Sequence, residues 1–396
     1  MAETFETSPK AIAVLSRFRE EFGGGDARLF FAPGRANLIG NHVDYNGGTV
    51  LPIAVNQGVF VAARLNEDGT TRLRSLDCEP PVDLDLTAIG AVCDKSHAWA
   101  SYPLGVCKFF SEATGRICGV EMVFGGDLPI ASGLSSSAAV EIATAFALDA
   151  LHGTALPLAE LARIGFRAET LYIGLKCGIM DQFASALGLL DQVLILDCGG
   201  ETFDYAPIDS EAVEFLILDT GVPRSLSESH YNQRVGECAE AHRVLSRIQK
   251  RRWLADYTAA DLAAVGPKLV GVAHRRATHV VTEMERVNAA VTALRAQDLP
   301  ELGRLLNASH ASSSELYEVS CPELDLITAA ARECDGVFGA RLTGAGFGGC
   351  AVALLQPGTA DAVQAHVTAR FEARFGIRPS FYLLSSGPGP GELHLD

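Results

Sequence analysis

Apolar positions recur along the chain with two different periods, which predict both helices and strands. Spacings of three or four residues indicate amphipathic helices, and short runs rich in Val, Ile, Leu and Phe indicate strands. Helices are predicted over 8–22, 97–110, 138–145, 157–172, 229–250 and 323–333, with several more over 256–310. Strands are predicted over 28–32, 50–55, 58–65, 118–124, 192–198 and 213–219. At 396 residues the chain is long enough for two domains, and we expect them to span 1–205 and 206–396.

A small-residue segment, DLPIASGLSSSAAVEIATA over 127–145, is the first candidate site. A turn leads into the Ser-rich loop 131–137, and strong helix formers follow from Ala138. The first N–H groups of a helix are unpaired and carry a partial positive charge. Small residues let a phosphate approach those groups, and Ser hydroxyls can bind Mg²⁺. The segment therefore favours an anion cradle, with an ordinary Ser-capped helix as the alternative.

Residues 33–48, PGRANLIGNHVDYNGG, form a second candidate site. The stretch is rich in turn formers and places Arg35, His42 and Asp44 within ten residues. Loops that connect secondary structure are polar in general, but few of them combine so many different functional groups. We therefore interpret this stretch as a functional loop.

Isolated polar and aromatic residues give weaker signals. Asp181 follows Gly178 in an apolar stretch, which indicates either a buried functional acid or a helix-capping Asp. Trp99 and Tyr102 could stack on a base, and core packing explains them equally well. Two potential metal ligands, Cys238 and His242, lie four residues apart without further ligands nearby, which favours a structural role.

The glycine-rich stretch 339–355 matches the dinucleotide fingerprint G-x-G-x-x-G at Gly344, Gly346 and Gly349. That fingerprint requires a strand before it and a helix after it. Here the strand-like run CAVALL follows the glycines. We therefore reject a dinucleotide site and predict a turn between two strands, with backbone N–H groups facing a ligand.

Composition narrows the class of partner. Apolar residues make up 48% of the chain, which is typical of a globular protein, and the formal net charge is −16. This charge argues against nucleic acid or an anionic membrane as partner, and no apolar run is long enough to span a bilayer. The ten Cys form no C-x-x-C pair. We see no signal peptide and expect free thiols in the cytoplasm.

Several motifs together resemble a known family. Residues 34–52, 129–139 and 342–354 look like the three motifs of the GHMP small-molecule kinases. The first motif, with CGIMDQFAS and YNQRVGEC, is most similar to the galactokinase family, and the resemblance runs from about residue 30 to 355. It implies an α+β fold with an N-terminal ribosomal-protein-S5-like domain and a C-terminal ferredoxin-like domain. The active site would lie in the cleft between them.

The resemblance also implies a role for each matching residue. Asp181 would be the catalytic base, and Arg35 would keep it ionised and stabilise the transferred phosphoryl group. The sugar would contact Asn41, His42, Asp44, Gly178 and Tyr231. The ATP site would comprise Trp99, Ala131, Ser132, Gly133, Leu134, Ser135, Ser136 and Ser137. Ser137 and Glu169 would hold Mg²⁺, and Gly344, Gly346 and Gly348 would shape the rim of the cleft.

Two residues depart from the family pattern. Asn41 stands where galactokinases usually have Glu, and Ala131 stands where Gly is common in the phosphate loop. The change at Asn41 affects the sugar contacts and leaves the identity of the sugar open.

Three hypotheses follow from these patterns. We expect an ATP- and Mg²⁺-dependent sugar 1-kinase, a monomer or weak homo-oligomer, with galactose as its substrate. Another hexose, an amino sugar or a pentose is the second hypothesis. A sugar and ATP sensor without turnover is the third, although such a sensor should have lost part of the loop or the base.

Overall fold

A computed structural model describes residues 8–85, 89, 90, 93–116, 119–128, 133–222 and 227–394. Its helices are α1 (Pro9–Phe22), α2 (Ser101–Thr114), α3 (Ser136–His152), α4 (Leu158–Arg167), α5 (Met180–Ala186), α6 (Ser227–Ser246), α7 (Ala259–Val265), α8 (Gly271–Arg295), α9 (Leu299–Glu315), α10 (Pro322–Arg332) and α11 (Ala360–Phe375). Its strands are β1 (Arg28–Ile39), β2 (Thr49–Leu65), β3 (Thr70–Ser75), β4 (Val82–Asp85), β5 (Val120–Gly126), β6 (Gln192–Asp197), β7 (Thr202–Pro207), β8 (Glu214–Asp219), β9 (Val337–Leu342), β10 (Cys350–Leu355), β11 (Ser380–Leu384) and β12 (Gly391–Leu393).

The strands form two separate sheets, which confirms the predicted α+β class. The first sheet has the order β12-β1-β2-β5-β3-β4, and β6 joins β2 to β7. The second sheet has the antiparallel order β11-β8-β10-β9. The chain passes from the first sheet to the second between β7 and β8, and β12 returns to the first sheet beside β1. The boundary near residue 205 stays a prediction.

The turn-rich stretch 33–48 differs from the predicted loop in its first half. Strand β1 continues to Ile39 and pairs with β2, with register shifts after Pro33 and after Asn37. A β-bulge absorbs an extra residue and bends the strand, so pairing can continue past a proline and a glycine. The functional groups of this stretch are therefore divided between a strand and the turn that follows it.

Other predicted element boundaries also differ from those in the structure. The strands predicted over 50–55 and 58–65 are one strand, β2, because both halves pair with β1. The helix predicted over 97–110 is a 3₁₀ turn, Lys95–Ala100, followed by α2. The helix predicted over 157–172 is α4 followed by a π-helical turn, Ala168–Ile173. The glycine-rich turn does link two strands, β9 and β10, as predicted.

Helix α3 lies in the N-terminal core, packed against β1, β2 and α2. Its buried residues are mostly alanines and large aliphatic side chains such as Ile142 and Leu148, together with the polar Glu141 and Thr144. This packing fixes the N-terminus of α3 beside β1, so that the Ser-rich loop and the first half of the turn-rich stretch adjoin. Within the described ranges, no helix is both long enough and apolar enough to cross a membrane.

Candidate active site

A cavity of about 470 Å³ brings together residues that are distant in sequence. Its walls include most of the site residues predicted from the sequence: Arg35, Asn41, His42, Asp44, Gly133, Leu134, Ser135, Ser136, Ser137, Glu169, Gly178, Asp181, Tyr231 and Gly344. The predicted residues Ala131 and Ser132 lie outside the described residues.

The centre of the cavity is an ion pair between β1 and α5. Arg35 donates from Nε to Asp181 Oδ1 at 2.9 Å and from Nη2 to both Asp181 oxygens at 2.8 Å. The Arg35 guanidinium is almost fully buried, whereas the Asp181 side chain keeps 30% of its surface exposed. A fork of this kind fixes the carboxylate in one orientation. The structure therefore presents an oriented carboxylate to the cavity.

The Ser-rich loop is attached to the same ion pair. The Ser135 hydroxyl donates to Asp181 Oδ2, and Arg35 donates from Nη1 to the Gly133 carbonyl oxygen at 2.5 Å. Ser135 has a φ of 56°, a left-handed conformation that costs free energy for a non-glycine residue. The Arg35 N–H also donates to the Leu134 carbonyl at 3.1 Å. These contacts fix the start of α3 relative to the carboxylate.

Asp44 is a second carboxylate of the cavity, at the start of a 3₁₀ turn after β1. A side chain at position 178 would place its Cβ only 1.9 Å from Asp44 Oδ2, so this position requires glycine. Burial, followed by the like charge of Asp181, raises the pKa of Asp44 to about 6. Hydrogen bonds from the backbone N–H groups of Asp44 and Tyr45 and the charge of Arg35 offset this increase in pKa only in part.

His42 uses both ring nitrogens within the protein. Burial, with the neighbouring His279, lowers the pKa of His42 to about 3, so the ring is neutral. Nε2 lies 3.1 Å from the Ala345 carbonyl oxygen, which can only accept, so Nε2 carries the proton. Nδ1 therefore accepts from the Tyr45 hydroxyl at 2.9 Å, and that hydroxyl lies 2.7 Å from the Tyr317 hydroxyl. Only the carbon face or edge of the His42 ring is left for a ligand.

Asn41 is held from behind by two helices. Its N–H and that of Gly40 both donate to Glu283 Oε1 at 3.1 Å. Its carbonyl oxygen accepts from His279 Nε2 at 3.0 Å, and its Nδ2 donates to Ser313 Oγ at 3.2 Å. The side-chain amide hydrogens of Asn41 are thus directed in part toward α9.

Ser137 and Glu169 meet in the wall of the cavity. Ser137 Oγ lies 3.4 Å from Glu169 Oε1 and belongs to the first turn of α3. Glu169 Oε2 accepts from Gln182 Nε2 at 2.7 Å and contacts Cys177 Sγ at 3.3 Å. A hydroxyl and a carboxylate oxygen are ligands that suit Mg²⁺. The donor set therefore fits the predicted metal.

The glycine-rich turn between β9 and β10 closes one side of the site. Gly344, Gly346 and Gly348 have φ values of 73°, 77° and 119°. A Cβ at Gly346 would lie 2.1 Å from the Val319 carbonyl oxygen. Gly344 and Ala345 line the cavity, and Ala345 holds His42. The turn therefore needs glycine for both its conformation and its close packing.

Trp99 lies away from the lining of this cavity. Its Nε1 donates to the Pro80 carbonyl oxygen at 3.0 Å, and its ring packs edge-on against Phe124 with centroids 5.7 Å apart. The neighbouring aromatic Tyr102 does line the cavity. The packing of Trp99 agrees with its interpretation as a core aromatic, and its assignment to adenine stays a prediction.

Sequence reasoning did not assign several residues of the site. Cavity-lining residues without an assigned role are Asn37, Leu175, Lys176, Cys177, Met180 and Ala345. Lys176 places a cationic side chain on the wall of a cavity in an acidic protein, and its position in the chain near Asp181 was the available signal. The residues behind the walls, Glu283, His279 and Ser313, lie on α8 and α9 and gave no sequence signal.

Cys238 and His242 contact different partners, as their structural interpretation implies. The Cys238 thiol lies 2.9 Å from the Tyr317 hydroxyl, and His242 Nε2 lies 3.2 Å from the Arg251 carbonyl oxygen.

Three protein-family models match the chain. A galactokinase galactose-binding signature matches residues 16–65. The N-terminal and C-terminal domains of the GHMP kinases match residues 101–189 and 290–373.

Known proteins are similar over almost the whole chain. A galactokinase of Clostridium tetani is 38% identical over 95% of this chain and 96% of its own length. A galactokinase of Enterococcus faecalis is 38% identical over 96% and 99%. The crystal structure of Lactococcus lactis galactokinase complexed with galactose superposes with a TM-score of 0.91 at 36% identity, covering 96% of this chain and 98% of that one. Methanococcus jannaschii mevalonate kinase, 18% identical over 92% of this chain and 99% of its own, shares the fold with a TM-score of 0.69.

Proposed function

The chain belongs to the galactokinase family of the GHMP kinases, and we propose that it transfers the γ-phosphoryl group of ATP to the anomeric hydroxyl of galactose. The observation that supports this most strongly is the Arg35–Asp181 pair, which opens onto one cavity between the Ser-rich loop and the segment 40–48. The phosphate donor and the sugar would approach this pair from opposite sides.

Asp181 is the proposed base. A sugar hydroxyl is a poor nucleophile at neutral pH, and a positioned carboxylate can take its proton during attack. The anomeric oxygen then forms a bond to the γ-phosphorus, the bond to the β-phosphate oxygen breaks, and ADP leaves. The proton passes to Asp181. Because Arg35 and Ser135 hold both carboxylate oxygens, the base is oriented before the sugar arrives.

Charge on the transferred group is the main demand of phosphoryl transfer. Arg35 supplies a buried positive charge beside Asp181, and the N-terminus of α3 supplies N–H donors and a partial positive charge. Ser137 and Glu169 are the proposed ligands of Mg²⁺, which when bound neutralises phosphate charge. These groups let an acidic protein bind a polyanion locally.

The sugar contacts are proposed to come from the segment 40–48 and α6. The Asp44 carboxylate is proposed as the principal hydrogen-bond acceptor for the sugar hydroxyl groups, because the protein compensates its charge only in part. Tyr231 packs near the His42 ring with centroids 5.5 Å apart, which gives the sugar an aromatic wall. Asn41 supplies a neutral amide where family members usually have a carboxylate.

The test is a coupled assay of ADP release with galactose, glucose, mannose, N-acetylgalactosamine and arabinose. We expect the highest kcat/KM for galactose, and ³¹P NMR should assign the product as a 1-phosphate. A native chain that binds galactose and ATP but releases no ADP would contradict the proposal and favour a sensor.

A second sugar is the remaining candidate, and Asn41 is the observation that favours it. An amide both donates and accepts, whereas a carboxylate only accepts. If another sugar of the panel has a kcat/KM more than about tenfold above that of galactose, a factor worth about 1.4 kcal/mol, the substrate proposal fails while the kinase proposal stands.

A further inference from the structure

A buried group of polar side chains lies behind the proposed metal ligands, and the proposed reaction does not use it. Glu141 of α3 and Gln182 of α5 are fully buried. Gln182 Nε2 donates to Glu141 Oε2 at 2.8 Å and to Glu169 Oε2 at 2.7 Å. One amide nitrogen therefore joins a buried carboxyl group to the carboxylate that faces Ser137.

Two acceptor atoms of this group have no hydrogen-bond partner among the described residues. They are Glu141 Oε1 and Gln182 Oε1. The same two side chains are already joined by the hydrogen bond from Gln182 Nε2 to Glu141 Oε2. Buried polar atoms are almost always paired, and an isolated buried carboxylate is very unfavourable. Two orphan acceptors on one residue pair are explained together if one of them carries a proton.

We infer that Glu141 is a neutral carboxylic acid whose O–H donates to Gln182 Oε1, which makes Glu141 and Gln182 positioning residues for Glu169. The amide N–H to Oε2 and the acid O–H to Oε1 then form a closed pair of hydrogen bonds between the two side chains. Independently of this pairing, burial, followed by the nearby Glu169 charge, raises the pKa of Glu141 well above its usual range.

The consequence concerns the orientation of Glu169. With its carbonyl held by Glu141, the Gln182 amide cannot rotate, and its second N–H is directed at Glu169 Oε2. This leaves Glu169 Oε1 facing Ser137 Oγ. Partners that orient a metal ligand in this way usually change metal affinity 10–100-fold when removed. The inference rests on the proposed role of Glu169 as a metal ligand.

The protonation of Glu141 is tested by infrared difference spectroscopy of the native chain against Glu141→Gln at neutral pH. We expect the native chain to show the C=O stretch of a protonated carboxyl group that the variant lacks, with a downshift in D₂O. If the difference spectrum instead contains the bands of an ionised carboxylate, the inference is wrong.

The positioning role is tested by binding of Mn²⁺ in the presence of a non-hydrolysable ATP analogue, measured by electron paramagnetic resonance. Gln182→Met removes the amide and should weaken Mn²⁺ binding about tenfold or more, while galactose binding measured by calorimetry stays within about twofold. Glu141→Leu should weaken Mn²⁺ binding in the same direction. Glu141→Gln should restore it, because an amide can donate to Gln182 Oε1.

The outcomes separate this inference from the proposed function. Unchanged Mn²⁺ affinity in a folded Gln182→Met protein would overturn the positioning role. Equal losses in Glu141→Gln and Glu141→Leu would overturn the pairing through a proton. If Gln182→Met does not fold, the Mn²⁺ affinities of Glu141→Leu and Glu141→Gln test the positioning role instead. A native chain that phosphorylates no sugar would instead contradict the proposed function, whatever its Mn²⁺ affinity.

Discussion

Asp44 and Glu283 are carboxylates on opposite sides of the same segment, residues 40–48, and their pKa values are shifted in opposite directions. Burial and the charge of Asp181 raise the pKa of Asp44 to about 6. Glu283 is also buried, yet Arg286, His279 and Arg341 hold its pKa at about 2. Burial alone therefore does not determine the charge of either group.

The difference lies in the donors that the protein supplies. Glu283 accepts from the Gly40 and Asn41 N–H groups, from Ser309 Oγ at 2.6 Å and from Arg286 Nε at 2.7 Å. The protein itself supplies the hydrogen bonds and the positive charge that this carboxylate needs, so it requires no ligand. It holds the segment 40–48 from behind. Asp44 is directed at the cavity, where its strongest neighbouring charge is the like charge of Asp181. A carboxylate whose charge the protein compensates only in part suits a ligand with several hydroxyl groups.

Asp181 is the third carboxylate and the one with the largest expected effect on activity. Asp181→Asn keeps the shape but removes the proton acceptor, so we expect kcat to fall about 10²–10⁴-fold. ATP affinity should change little. Steady-state kinetics with galactose checks this, and near-native kcat in the variant would show that Asp181 is not the base.

Loss of the Glu283 charge should cost the most stability. Glu283→Ala removes the ion-pair partner of the partly buried Arg286 and a compensating charge near the fully buried Arg341, and breaking a buried ion pair typically costs about 3–5 kcal/mol. Because its folded pKa is lowered, Glu283 contributes stability above pH 4.5 that is lost as the pH falls toward 2. Urea unfolding at several pH values measures both effects. A variant as stable as the native chain would mean that Glu283 does not hold this segment.

Asp44→Asn should stabilise the protein, in contrast to Glu283→Ala. The folded pKa of about 6 lies above the ordinary 3.8, so ionisation of Asp44 costs stability as the pH rises through 6. The variant should therefore gain roughly 1–3 kcal/mol at pH 8 relative to the native chain, and much less at pH 4. It should also lose galactose affinity. If the variant is instead less stable than the native chain at pH 8, the protein stabilises ionised Asp44 as it stabilises ionised Glu283, and the contrast between the two carboxylates is wrong.

Asn41→Glu should have the smallest effect of these substitutions. A carboxylate accepts a sugar hydroxyl more strongly than an amide, by roughly 1 kcal/mol, so kcat/KM for galactose should rise about fivefold. The added negative charge near Asp44 opposes part of that gain. Kinetics with the sugar panel checks both directions, and Asn41→Gln, which keeps an amide but has the length of Glu, is the control.

The sequence predicted the cavity face well because its residues occur in compact motifs. Arg35, Asp44 and the Ser-rich loop were found from spacing and residue type, and the α+β class followed from the family resemblance. The supporting residues were missed because they act across the fold: Glu283 contacts Gly40 and Asn41 only after α8 packs behind the segment. The bulge that extends β1 past Pro33 was missed because proline and glycine usually indicate a turn.

The most direct test of the account is the number of protons exchanged when galactose binds. Calorimetry at pH 6 in two buffers of different ionisation enthalpy measures it. In the free protein Asp44 is about half protonated at this pH, and binding of sugar hydroxyls should ionise it, so we expect release of about half a proton. At pH 8 the release should vanish. Proton uptake at pH 6, or an unchanged release in Asp44→Asn, would contradict the claim that Asp44 is the carboxylate left for the ligand.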